Sequence, residues 1–221
     1  NPGAIQPVKR MAHPLYVLGE AGVGLVLGSK PVYDGGFKLN FGAGLGMRLQ
    51  TRLHLQLTGG YLMQDGGFDF ERSSVVNTPD FGVRSAFNSL KPDRLHFIYG
   101  KFGAAYRIKR YSLSAHVGTQ YLYGAQGWIS IDEHSQVPLN DSHDSEYTWL
   151  KTDGLRKLQW WSDVSVGYMV FPRFYVQGGV GMYHSSLTVE DAALTEEGYY
   201  WNGKTGKYQP FITLNYLLHG K

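Results

Sequence analysis

The chain has 221 residues with no cysteine, 29 Gly, 16 Tyr, 11 Phe and 5 Trp, and a net charge of +3. Lack of cysteine excludes disulfides, thiolate metal sites and a cysteine nucleophile, and the mild, scattered charge offers nucleic acid no basic patch. No segment approaches the roughly 20 apolar residues of a membrane helix, but spanning strands need only about ten alternating residues each.

The chain opens "NPGAIQPVKRMAHPLY", without an initiator Met or a charged-then-apolar leader, so removal of a signal peptide or a larger amino-terminal region is expected. Residues 1–13 read as a periplasmic amino-terminal segment and 14–221 as one barrel domain.

Period-two alternation then predicts eight strands. The first, near 15–28, sets Val17, Ala21, Val23, Leu25 and Leu27 against Tyr16, Glu20, Gly22 and Gly24. The second, "FKLNFGAGLGMRL", opposes Phe37, Leu39, Phe41, Leu45 and Met47 to Lys38, Asn40, three glycines and Arg48. The third opposes Leu53, Leu55, Leu57, Tyr61 and Met63 to His54, Gln56, Thr58 and Gln64. The fourth has Ile98, Phe102, Ala104, Tyr106 and Ile108 against Tyr99, Lys101, Gly103 and Arg107, and the fifth has Tyr111, Leu113, Val117, Tyr121 and Tyr123 against Ser112, Ser114, His116 and Gln120. In the sixth, Trp160, Val164, Val166, Tyr168 and Val170 oppose Trp161, Asp163, Ser165 and Gly167; in the seventh, Phe174, Val176, Val180 and Met182 oppose Tyr175, Gln177 and Gly179. The eighth sets Ile212, Leu214, Tyr216 and Leu218 against Thr213 and Asn215.

Short and long connections alternate. Tight turns fall at Gln50-Thr51-Arg52, Lys109-Arg110 and Phe171-Pro172-Arg173, and long loops at 65–94, 125–157 and 188–207. Parity pairs Ile108 with Tyr111, Leu49 with Leu53 and Val170 with Phe174. The expected fold is all-β: an eight-stranded antiparallel up-and-down transmembrane β-barrel with short periplasmic turns, periplasmic termini and long extracellular loops in a bacterial outer membrane. Its apolar row would face lipid, ringed by aromatics, and its polar row would fill the lumen.

The expected lumen network comprises Glu20, Lys38, Arg48, His54, Lys101, Arg107, His116 and Asp163, with Glu20 paired to Arg48. Plugging by these side chains argues against a diffusive pore, with a small channel as an alternative. In the outer loops, Trp128, Trp149, Tyr199, Tyr200 and Trp201 are expected to bind partners. The acidic stretch "IDEHSQVPLNDSHDSEY" has neither EF-hand nor zincin spacing, so no metal and no cofactor are expected. Outer-membrane lipid, lipopolysaccharide and protein subunits of an envelope complex are the expected partners.

One cluster suggests a reaction. The "HSS" of "GVGMYHSSLTVEDAALTEE" resembles the His-x-Ser of the outer-membrane lipid A 3-O-deacylases, which would make Ser186 the nucleophile, His184 its base and Glu196 or Glu197 the orienting acid. The Asn that follows the family's serine is Leu187 here. The favoured reading is therefore a non-enzyme.

A broader resemblance covers nearly the whole chain. "FGAGLGMRLQTRLHLQLTGGYLMQ", "LHFIYGKFGAAYRIKRYSLSAHVGTQYLYG" and "LQWWSDVSVGYMVFPRFYVQGGVGMYHSS" resemble the small outer-membrane β-barrel domain of Bacteroidota, OmpA-like in architecture. The resemblance implies a role in an envelope machine, in secretion, assembly or anti-sigma signalling, and prescribes no catalytic residues.

Overall fold

The computed structural model describes residues 15–29, 36–65, 70–78, 82–136, 139–150, 155–185, 200–201, 204–205 and 207–218. Eight strands form the barrel: β1 (Leu15–Val26), β2 (Gly36–Arg48), β3 (Leu53–Asp65), β4 (Gly82–Ile108), β5 (Tyr111–Gln136), β6 (Leu158–Phe171), β7 (Phe174–Tyr183) and β8 (Tyr208–Leu218). Each pairs antiparallel with its neighbour in sequence, and β1 pairs with β8 from Val17↔Leu218 to Gly24↔Phe211, closing the cylinder. Closure leaves the barrel without an edge, which is what a sheet surrounded by lipid requires.

Alternation divides the two faces as the residue pattern predicts, but with the polarity of a water-soluble protein inverted. Leu45, Leu57, Leu113, Val164 and Val166 point outward and are about three-fifths exposed (58–61%), whereas Gln120 and Ser114 point inward and are buried (0% and 1%). Burying such an apolar side chain is worth about 1.5–3 kcal/mol. A continuous belt of them around a closed barrel far exceeds the patch a soluble monomer exposes, and the outward face is built for lipid.

Two turns match the parity argument. Ile108 pairs with Tyr111 across Lys109-Arg110, with Lys109 at φ 54°, and Leu49 N–H donates to Leu53 O at 2.9 Å. The third is tighter than expected. Phe171, not Val170, pairs with Phe174, and the register then slips so that Val176 faces Tyr168. Pro172 presets the turn, Arg173 takes φ 73°, and the extra residue is absorbed as a bulge, so outward parity survives.

The larger correction concerns the long loops. Much of 65–94 and 125–157 is sheet: β4 and β5 continue as a hairpin paired up to Arg84↔Ser135, flanked by strands Phe70–Thr78 and Leu139–Leu150. Period-two hydrophobicity marks a strand only when its faces meet different surroundings. From His143 to Tyr147 every side chain is exposed, so that contrast is lost while the backbone ladder continues.

Candidate functional site

The lumen holds most of the sequence-predicted polar set, but with different partners. Glu20 on β1 is followed around the barrel by Gly42 on β2, Gly60 on β3 and Tyr99 on β4, each directly opposite the next. The two glycines leave a trough in which the Tyr99 ring lies, and its hydroxyl donates to Glu20 Oε1. A Cβ on Gly42 would stand 2.3 Å from that hydroxyl. Glu20 Oε2 receives Lys101 Nζ at 2.7 Å, and Asn40 Nδ2 donates to Oε1 at 3.4 Å. The expected Glu20–Arg48 pair does not form. Glu20 is opposite Gly42, and Arg48 lies six residues further along β2, roughly 20 Å at strand rise.

Nearer the tight turns, His116 faces Asp163 directly across β5 and β6, with Nδ1 2.8 Å from Oδ1 and Nε2 3.3 Å from Gln56 Oε1. Gln56 and Arg107 both donate to the Tyr16 hydroxyl, at 3.4 and 3.3 Å, and the Arg107 guanidinium lies over the Tyr16 and Tyr175 rings. His54 meets Tyr16 edge-on and sits opposite Arg48. On the far side, Asn215 donates to Gln177 at 2.7 Å and Gln177 to Ser114 at 3.2 Å. Towards the hairpin end, Lys38 Nζ donates to Gln209 at 3.1 Å and Tyr183 at 3.3 Å, and Tyr183 donates to Gln120 at 3.2 Å.

Above this polar column the interior becomes apolar, which residue patterning did not anticipate. Val26, Leu62, Leu95, Phe97, Tyr99, Leu122 and Ala125 form a buried cluster, capped by Leu150 and Leu155 from the β5–β6 connection. Leu62 and Leu122 hold inward positions among polar neighbours; the only sequence signal was an apolar residue at a polar parity position. Between column and plug, a cavity of about 40 Å³ lined by Glu20, Lys38, Lys101, Trp161, Asp163 and Tyr183 has room for a few waters.

On the outward face, His184 Nε2 is 2.8 Å from Ser162 Oγ, and Ser185 Oγ accepts from the Trp160 N–H at 3.0 Å. Ser186, Glu196 and Glu197, the other members of the hydrolase alternative, lie outside the described residues, as does Tyr199. Trp128 and Trp149 are on strands rather than in loops, packed respectively on Tyr147 and His96. Tyr200 and Trp201 are described only as a short strand against Glu71 and Phe70. In the acidic stretch, His143, Asp144 and Glu146 are exposed, and no metal-binding cluster occurs among the described residues. Burial and then the Asp93 carboxylate, which its hydroxyl contacts at 3.3 Å, hold the Tyr147 phenol above its usual range.

No protein-family model and no curated protein matches this chain. Among solved structures it is similar to the attachment invasion locus protein Ail of Yersinia pestis (8% identity, TM-score 0.40, covering 94% of this chain and 100% of that one). It is also similar to the amino-terminal β-barrel domain of Pseudomonas aeruginosa OprF (11%, 0.36, 92% and 97%) and to the Pseudomonas putida toluene transporter TodX (9%, 0.39, 94% and 68%). These likenesses go no further than a barrel outline; the eight-stranded closure stands on the strand pairings themselves.

Proposed function

We propose that the chain is a bacterial outer-membrane barrel that serves as a non-enzymatic anchor or scaffold for a multi-protein envelope complex, tight turns in the periplasm and the β4–β5 hairpin outside. The observation that carries this reading is the filled lumen. Hydrogen-bonded side chains occupy its polar part and Phe97, Leu95, Leu62 and Leu122 its hairpin end, with a cavity of about 40 Å³ between them. A barrel filled in this way acts through its surfaces, and the G-x-G strands and the "VGYMVFPRFYVQGGVG" hairpin favour the Bacteroidota small-barrel family as its origin.

Extraction in mild detergent followed by affinity purification is expected to recover the barrel with stoichiometric envelope proteins. Recovery as a free monomer under every mild condition would remove the basis for a scaffold. A small channel is the second reading, favoured by the charged chamber beneath the plug. Planar-bilayer recordings separate the two: the scaffold reading expects no unitary conductance, and steady conductance from the unmodified protein would establish the channel.

A further inference from the structure

The turn end of the lumen carries positive charge that nothing at its own level answers. Glu20 on β1 and Asp163 on β6 are the inward carboxylates nearest the turns among the described residues. Both are taken, Glu20 by Lys101 at 2.7 Å and Asp163 by His116 at 2.8 Å. Between them and the tight turns the described residues include no Asp or Glu, whereas Arg48, His54 and Arg107 point inward there. Residues 1–14, which lead into β1, add Lys9 and Arg10 and no acid.

These bases are brought together by one tyrosine. Arg48 is opposite His54 on the β2–β3 ladder, and Arg107 is opposite Ser112 on the β4–β5 ladder. The Arg107 guanidinium lies 5.4 Å from the Tyr16 ring centroid and 4.9 Å from that of Tyr175, and His54 meets the same Tyr16 ring edge-on at 5.7 Å. Tyr16 fits because it faces Gly46, where a Cβ would collide with its ring. Aromatic rings hold a planar guanidinium by its face and leave the N–H groups at its edge for a ligand.

Several donors at this point are unused. His54 and Ser112 are only 7% and 3% exposed, yet His54 Nδ1, Ser112 Oγ and Arg107 Nε have no hydrogen-bond partner among the described residues. Of its five N–H groups, Arg107 commits one, to the Tyr16 hydroxyl at 3.3 Å. Buried polar groups are costly to leave unpaired, and their concentration at one end of an otherwise well-bonded lumen marks a place for a ligand. Cationic and hydroxyl donors with no carboxylate among them select an anion. Because they come from three successive strands, a tetrahedral oxyanion, with acceptors on several sides, meets more of them than a planar carboxylate would.

Access is from the turns. Arg48 and Arg107 are half-buried, and the turn residues Arg52, Lys109, Arg110 and Arg173 extend the positive field outward. The donors point away from the lipid-facing row, which favours an ion from solution over a lipid headgroup.

We propose that the turn end of the lumen binds a solvent-borne oxyanion of the phosphate class, held by Arg107, His54 and Ser112 with Arg48 adding charge. The inference holds whether the barrel anchors a complex or conducts.

Nitrogen-labelled histidine places one probe in the site, His54, and a control above it, His116; the His54→Gln and His116→Gln variants assign the two signals. The barrel in maltoside micelles, checked for heat-dependent gel mobility, is titrated with sodium phosphate at fixed pH and ionic strength. The His54 ring signals are expected to move saturably while those of His116 stay nearly still. Arg107→Gln is expected to weaken the titration about tenfold, the factor that ~1.4 kcal/mol represents. Ser112→Ala, a smaller change that keeps the fold should Arg107→Gln fail to fold, is expected to weaken it about threefold. Absence of saturation at His54, equal movement of His54 and His116, or the same movement with chloride in place of phosphate would each overturn the proposal. So would an unchanged titration in Ser112→Ala and folded Arg107→Gln. Saturation in micelles that vanishes in phosphatidylglycerol nanodiscs would give the site to lipid phosphate and overturn a solvent-borne ligand.

Discussion

The two halves of the lumen solve the same packing problem with opposite chemistry. From Tyr16 to Tyr99 the interior is a column of polar groups linked by hydrogen bonds and ion pairs; from Leu62 to Leu155 it is an aliphatic and aromatic plug. The polar half is directional. Each buried charge needs a partner at one distance and glycines opposite to make room, so single changes there have few accommodating alternatives. The apolar half depends on volume, and its residues can be exchanged at moderate cost provided the space stays filled. Tyr99 belongs to both, with its ring in the plug and its hydroxyl on Glu20.

The largest expected effect is on the polar side. In Gly42→Leu the new side chain begins 2.3 Å from the Tyr99 hydroxyl and 2.9 Å from Gly59 O, and no heat-modifiable folded species is expected on gels. Glu20→Ala comes next. It strands the Lys101 ammonium and is expected to cost about 3–5 kcal/mol in urea-dependent refolding into lipid, much of it recovered by adding Lys101→Met.

Phe97→Ala, in the plug, is expected to cost about 3 kcal/mol and to open no conductance while Leu95 and Leu122 remain. If the halves are separate units, its cost adds to that of Glu20→Ala within about 0.5 kcal/mol; a larger deviation would show that Tyr99 couples them. Tyr99→Phe, which removes only the hydroxyl at the junction, is expected to cost about 1 kcal/mol, since Lys101 and Asn40 still reach Glu20. The smallest effect belongs to the lipid side. A Cβ on outward-facing Gly19 meets nothing within 4 Å, so Gly19→Ala should leave refolding unchanged, in contrast to Gly42.

Patterning identified the inward residues well but not their pairings. Lys38, His116 and Asp163 point into the lumen because parity in a closed sheet cannot be otherwise once the outward row is apolar. Pairing depends on height along the barrel and on which rungs lack side chains, which is why Glu20 reaches Tyr99 over Gly42 and Gly60 and not Arg48. Patterning misses the strand Leu139–Leu150 for a related reason: His143 to Tyr147 are exposed on both faces, so no contrast between lipid and lumen marks them. The hydrolase motif fared differently, since His184 has its imidazole on Ser162, a residue 22 positions away in sequence that local spacing had no means of nominating.

By itself the sequence determined the number of barrel strands, their parity and the inverted polarity, because period-two hydrophobicity directly records two unlike surroundings. Tertiary structure alone decided who meets whom inside, where the lumen turns from polar to dry, and that much of the connections 65–94 and 125–157 is sheet. Those outcomes depend on register and closure, which bring together side chains 171 positions apart, as in Lys38 with Gln209. No local pattern encodes that distance.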